Sequence, residues 1–383
     1  MKSSQPWLYS AAFDLVFILS PALLISALAL VFQEGIARFD AVPPWMWLVL
    51  VVGVDVSHVY STLFRTYFDK REWRQRQALY TLVPLGAWLG GCLLYSIDSM
   101  IFWRVLAYLA VFHFVRQQYG LMMIYGRDER NLPASYKHLD RAAIYLATLY
   151  PLVYWHTHER QFHWFIAGDF IKLDAPEYAW LAALAASVYL AVMAAYVVKE
   201  IMLWKKFKHC NLPRNLLLIG TAAAWFIGIV AFDNDIAFTA TNILAHGIPY
   251  LALIWVYGRN HSARNKDSPS PFISAWIATI FKPKAVALYV GALASLAYVE
   301  EGIWDSLVWR NHTELFWLFS ALPPLTSETA LVWLIPLLAL PQATHYLLDA
   351  YIWRLKSADT EWKEILFFNM AQNTNNQQKV LKI

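Results

Sequence analysis

The sequence predicts an all-α polytopic integral membrane bundle of about ten transmembrane helices. Three observations carry that prediction. The 383 residues are 59% hydrophobic, 16% aromatic and only 15% charged, with a mean hydropathy of +0.39, which is too apolar for a water-soluble core and surface. Apolar runs long enough to cross about 30 Å of hydrocarbon, at roughly 20 residues each, recur along the whole chain. Lys and Arg alternate between dense and sparse loops.

The predicted spans are 11–33, 44–65, 77–95, 100–125, 139–157, 177–202, 214–232, 235–257, 284–302 and 329–353. The first follows Lys2, is too long for a signal-peptide core and lacks a convincing cleavage site, so it is expected to remain as a span. Arg65, Lys70, Arg71, Arg74 and Arg76 follow the second span, and Gly86 and Gly90 in the third have GxxxG spacing, a common close-packing device. Arg127, Arg130, Lys137 and Arg141 follow the fourth, and Lys205, Lys206, Lys208 and Arg214 the sixth. Arg259, Arg264, Lys266, Lys282 and Lys284 follow the eighth, and Arg354, Lys356 and Lys363 the tenth. The alternate loops hold only Arg38, Arg160, Lys172 and Arg310, so the positive-inside rule puts both termini in the cytoplasm.

Residues 1–355 thus form a transmembrane helical domain and 356–383 a cytoplasmic tail, with a short amphipathic segment around Trp362, Ile365, Leu366 and Phe368. Residues 272–281 read as a helix lying in the cytoplasmic interface, and 315–325 as a short apolar piece on the other side, broken by Pro323 and Pro324. The formal charge of +4 resides in these loops, where it sets orientation, and implies no nucleic-acid partner. Two cysteines, Cys92 and Cys210, exclude a disulfide framework and a thiolate metal centre.

Four histidines, His58, His113, His246 and His345, lie inside otherwise apolar spans. Hydrocarbon offers them no water, so neighbouring helices, an internal cavity or a bound ion must satisfy them. All four fall on even-numbered, co-directional spans. Counted from the basic flanks at Lys70, Arg127, Arg259 and Arg354, they lie about 9 to 14 residues deep, or roughly 14 to 21 Å, in one layer of the membrane. Each also has a polar residue on its own face: Asp55 and Thr62 beside His58, Arg116 and Gln117 beside His113, Asn242 beside His246, Asp349 beside His345. Metal-bound imidazole usually gives its second N–H to such a group.

This pattern points to a histidine-ligated transition metal, iron first, with zinc or copper as alternatives. The chemistry expected is metal-dependent oxidoreduction on a lipid-like or other apolar substrate drawn from the bilayer, with a possible electron donor. His58, His113, His246 and His345 are the expected ligands; Asp55, Gln117, Asn242 and Asp349 orient them; Arg65, Arg116 and Arg354 are candidates to hold a substrate phosphate or carboxylate. Three alternatives stand beside it. The histidines can form a purely structural polar layer. Two can ligate haem b, with the arginines on its propionates. Or Asp55, His58, Arg116, His246 and Asp349 can line a transporter or proton-coupled channel.

Weaker features are His156, His158, His163 and Glu159, a loose outer cluster; Asp14, placed to pair with Arg65 or Arg116 or to reach the interface; and the run Asp233, Asn234 and Asp235, with cap chemistry for the eighth span. Walker, dinucleotide, GxSxG and CxxC motifs are absent. The HxxxH and HxxHH boxes of membrane fatty-acid desaturases and hydroxylases are absent too. In layout, though not in motif, the chain is similar to membrane carotenoid-cleaving dioxygenases of the bacteriorhodopsin-related type, which are also polytopic and use isolated histidines.

Overall fold

The computed structural model describes residues 5–39, 41–129, 131–173, 175–264, 277 and 279–353, and every regular element among them is helical. Arg354, the amphipathic tail segment and most of 272–281 lie outside the described residues. In a bilayer each backbone N–H and C=O must be satisfied within its own segment, which is why an apolar chain of this composition resolves into helices.

Among the described residues, eight helices are long and apolar enough to cross a membrane, or nine if a bent pair counts as one span. They are α1 (Ala11–Val31), α2 (Pro44–Phe64), α3 (Gln77–Ile97), α4 (Ser99–Tyr125), α6 (Pro176–Phe207), α7 (Leu212–Ala231), α8 (Asp235–Arg264) and α9 (Pro283–Trp309). The bent pair is α10 (Glu328–Leu338) and α11 (Leu340–Ile352), which meet at 42°. α5 (Ala134–Thr157) is the remaining segment counted as a span from sequence. It forms a 24-residue helix, but Lys137, His138, Asp140 and Arg141 occupy its first two turns and shorten its apolar stretch.

By contacts the chain divides into two units, each built from two separated segments: Met1–Pro43 with Ser99–Pro249, and Pro44–Asp98 with Tyr250–Ile383. In the first, α5 packs on α4, α6 and α7, and α7 packs on α1. Its core is an aromatic pile in which Trp155 stacks on Phe170 at 4.0 Å and Phe162 on Phe238 at 4.3 Å, with Val111, Phe114 and Val115 of α4 against it. Burying rings of this size supplies much of the packing energy and fixes the rotation of α4. In the second unit, α9 packs on α2, and α3 packs on α10 and α11. Val52, Val56, Ala297 and Phe316 form one core patch; Phe64, Tyr250, Ile254, Phe281, Tyr289 and Leu293 belong to another.

Two cations counted as loop charges are fully buried instead. Arg65 pairs with Glu72 at 2.9 Å, beneath the rings of Tyr257 and Trp353. Arg214 opens α7 and is held by Glu129, Asp140 and Glu200, with Lys199 joining Asp140 and Glu200. A charge removed from water needs such partners, so these two residues tie helices together. Asp14 reaches neither Arg65 nor Arg116: buried, it accepts bonds from the backbone N–H groups of Leu8 and Tyr9 and from the Tyr125 hydroxyl, anchoring the segment before α1. Asn234 caps α8 through the N–H groups of Ile236 and Ala237, as the sequence suggests. At Gly86 and Gly90 an added Cβ would meet nothing within 4 Å, so their spacing does not mark a close helix contact.

Candidate metal centre

Three of the four histidines lie beside a local departure from a plain α-helix, while His113 sits within the uninterrupted α4. In α2 the nine residues Leu48–Val56 form a π-helix ending one residue before Ser57. A π turn holds about one residue more than an α turn, so it rotates the residues after it by roughly 100° about the axis. Ser57 Oγ donates to the Val52 carbonyl five residues back, stabilising the wide turn. His58, the next residue, is 1% exposed, with Nδ1 3.5 Å from Asp55 Oδ1.

In α8, Pro249 lies three residues after His246. Proline has no N–H, so the carbonyl of Ala245 loses its helical donor. Gln118 of α4 replaces it, its Nε2 donating to Ala245 O at 3.4 Å, while its Oε1 accepts from Thr221. The adjacent Gln117 Nε2 donates to the carbonyl of His246 itself at 3.2 Å. Gln117, expected beside His113, therefore holds the backbone of the partner histidine. His113 Nε2 and His246 Nε2 stand 3.0 Å apart, and Phe114 stacks flat on the His246 ring at 3.6 Å and 11°.

His345 sits just after the break between α10 and α11, where Pro341 opens the second helix. Its ring meets that of His58 edge-on at 4.9 Å, and Tyr250 packs edge-on against both, at 5.6 Å and 5.0 Å. Its Nδ1 is 2.6 Å from Thr62 Oγ1; Thr62 Oγ1 is 2.9 Å from the Tyr250 hydroxyl; and that hydroxyl donates to Asp349 Oδ1 at 2.6 Å. With Asp349 ionised and accepting from Tyr250, a Thr62 hydroxyl that donates to Tyr250 accepts from His345 Nδ1–H, and His345 Nε2 is then left with a lone pair. Asp349 reaches His345 through the hydroxyls of Tyr250 and Thr62, so Thr62 on α2 serves the histidine of another helix.

The four imidazoles each offer one ligand atom, and these atoms all lie within 4.8 Å of one another. All four residues are at most 3% exposed. Nitrogens bound to one ion at about 2.0–2.1 Å lie about 3 to 4 Å apart, so the 3.0 Å His113–His246 pair has the spacing of neighbouring ligands, and the 4.8 Å limit of the group exceeds that spacing by about 1 Å. Two buried acceptors beside this group have no hydrogen-bond partner among the described residues, Asn242 Oδ1 and Gln117 Oε1. Asn242, expected to orient His246, donates instead to the Phe238 carbonyl at 2.9 Å. A cluster of neutral nitrogen donors, with carboxylate and amide groups behind it, fits a transition metal.

The other candidates lie elsewhere. Arg65 is committed to Glu72, and Arg116 is exposed, its guanidinium on Tyr145 and Tyr119. His156 is bonded to Tyr108 and to the Leu152 carbonyl, His158 stacks on Tyr154, and Glu159 pairs with Lys172. That ion pair, open to solvent, holds the Glu159 carboxyl below its ordinary range. Among the described residues the outer histidines form no metal-ligating group. Tyr250 and Gln118 are the participants that helix spacing does not single out: both act across helices, and the only signal for Tyr250 is its depth. No family model matches this chain, and neither a curated protein nor a solved structure matches it.

Proposed function

We propose that the chain is a membrane-embedded metalloprotein in which His58, His113, His246 and His345 hold one transition metal, with iron favoured, and that the site carries out oxidative chemistry on an apolar, lipid-like substrate. The observation that supports this reading is the meeting of four buried imidazole ligand atoms within 4.8 Å, from residues up to 287 positions apart in the chain (345 − 58 = 287). A redox-active ion bound there would supply electron-transfer and oxygen chemistry that no side chain present can provide.

The remaining work falls to the protein. Burial keeps bulk water from the ligands and strengthens every electrostatic interaction among them. The chain Asp349, Tyr250, Thr62 and His345 fixes one tautomer, and Asp55 is placed to do the same for His58. Phe114 holds the plane of His246. Asn242 Oδ1 and Gln117 Oε1 offer acceptors for a water or a substrate hydroxyl. Haem fits this arrangement less well, because a macrocycle between two axial imidazoles would occupy the space into which the other pair projects.

The test is metal analysis of detergent-purified protein. About one equivalent of transition metal per chain is expected, with an absorption spectrum lacking a Soret band. Metal-free protein that neither binds added iron, zinc or copper nor changes on chelation would overturn the reading.

A further inference from the structure

Arg116 is the one charged residue on an exposed stripe of α4 that otherwise consists of Ile101, Val105 and Phe112. On α5 the neighbouring exposed stripe runs from Arg141 through half-buried Tyr145 to Leu149. The two helices pack side by side, and Arg116 Nη1 donates to the Tyr145 hydroxyl at 2.7 Å. Tyr119 and Tyr145 stack at 5.2 Å, and both guanidinium groups stand over the Tyr119 ring, Arg116 at 4.8 Å and Arg141 at 5.6 Å. Among the described residues neither arginine has a carboxylate partner. Two positive charges thus share one aromatic platform, about 10 to 14 Å inside their helix ends, with an apolar track leading away from them.

Unpaired cations at that depth are costly and call for an anion. Arginine forks match phosphate oxygens in a bidentate fashion, and stacking on tyrosine holds them pre-organised. The apolar track suits an acyl chain, and the charge rule that predicts cytoplasmic termini puts this end of α4 and α5 at the inner leaflet, where anionic lipids concentrate. We propose that this edge binds the phosphate headgroup of an anionic membrane phospholipid between Arg116 and Arg141, with its acyl chain along Phe112 and Leu149. The site is independent of the four-histidine group.

The experiment is native mass spectrometry of the full chain released from detergent after equilibration with phosphatidylglycerol or phosphatidylcholine. Retention of phosphatidylglycerol in preference to phosphatidylcholine is expected. Each basic residue near a membrane surface contributes enough attraction for about a fivefold change in binding, so Arg116→Gln should weaken retention about fivefold and the double variant with Arg141→Gln about 25-fold. Arg116→Lys with Arg141→Lys should fall between, since it keeps the charge and loses the fork. Millimolar inorganic phosphate should not displace the lipid. Equal retention of the two lipids, an unaffected Gln pair, displacement by inorganic phosphate, or stronger competition by a fatty-acid carboxylate would each overturn the assignment. If the double Gln variant fails to elute as a monodisperse helical species, the single variants and the Lys pair carry the test. Metal content read on the same samples examines the histidine site separately.

Discussion

Replacing Thr62 by valine removes one hydroxyl and almost no volume, yet it should loosen the metal site. Thr62 is 4% exposed, so no water takes the place of its oxygen. Two groups lose a partner: His345 Nδ1–H loses its acceptor, and the Tyr250 oxygen loses its donor. A buried donor left unsatisfied costs about 1–3 kcal/mol, and at about 1.4 kcal/mol per tenfold change this is about a 5- to 150-fold loss in affinity. Loss of groups that orient metal ligands typically costs about 10–100-fold, in agreement. The apoprotein, prepared by chelation in detergent, is titrated with zinc or ferrous iron against a competing chelator. Thr62→Val should weaken binding by about 10–100-fold, whereas Thr62→Ser, which keeps the hydroxyl, should stay near the parent. Tyr250→Phe should cost less, within about tenfold, because His345 retains Thr62 as its acceptor. A valine variant that binds like the parent, or a serine variant as weak as the valine one, would refute the donor order on which the tautomer rests.

Other expectations use the same material. Alanine at His58, His113, His246 or His345 should each lower the metal content of purified protein, while alanine at His156 or His158 should leave it unchanged; elemental analysis decides both. Pro249→Ala restores an N–H for the Ala245 carbonyl and competes with Gln118, so it should weaken metal binding while leaving thermal stability unchanged or higher, a separation that a melting curve and a metal titration detect together. Gly228→Ala would place a Cβ 2.1 Å from Thr241 Oγ1 and should destabilise by about 1–3 kcal/mol, whereas Gly86→Ala and Gly90→Ala, with open space around them, should be neutral or stabilising by about 0.5–1 kcal/mol. Thermal unfolding in detergent ranks the three, and equal effects would refute the packing argument.

The helices were legible because their signal is local and strong. Apolar runs such as 177–202 and 235–257 announce themselves at the length hydrocarbon requires, and Asn234 announces the start of α8 by its cap chemistry. The histidines were legible because imidazole inside such runs is costly. Their partners were read less well, since helix spacing reports only neighbours on the same helix. It assigned Thr62 to His58, Gln117 to His113 and Asn242 to His246. In the structure Thr62 bonds to His345, Gln117 to the His246 backbone and Asn242 to the carbonyl of Phe238.

The departures from regular helix share that limit. A constant 3.6-residue period cannot foresee the π-helical stretch Leu48–Val56 before His58 or the 42° break before His345. Arg65 and Arg214 look like loop cations in a charge count and become buried ion-pair centres once Glu72, Glu129, Asp140 and Glu200 reach them.

The amino-acid sequence alone determined the class of protein, the approximate places of its spans and the four imidazoles within them, because a bilayer forces each segment to satisfy its own backbone and makes every polar exception conspicuous. Tertiary structure alone decided that those imidazoles meet and that Thr62 and Tyr250 link His345 to Asp349. Those outcomes depend on how each helix is rotated, kinked and packed, and contacts between residues hundreds of positions apart leave no trace in the spacing along any one helix.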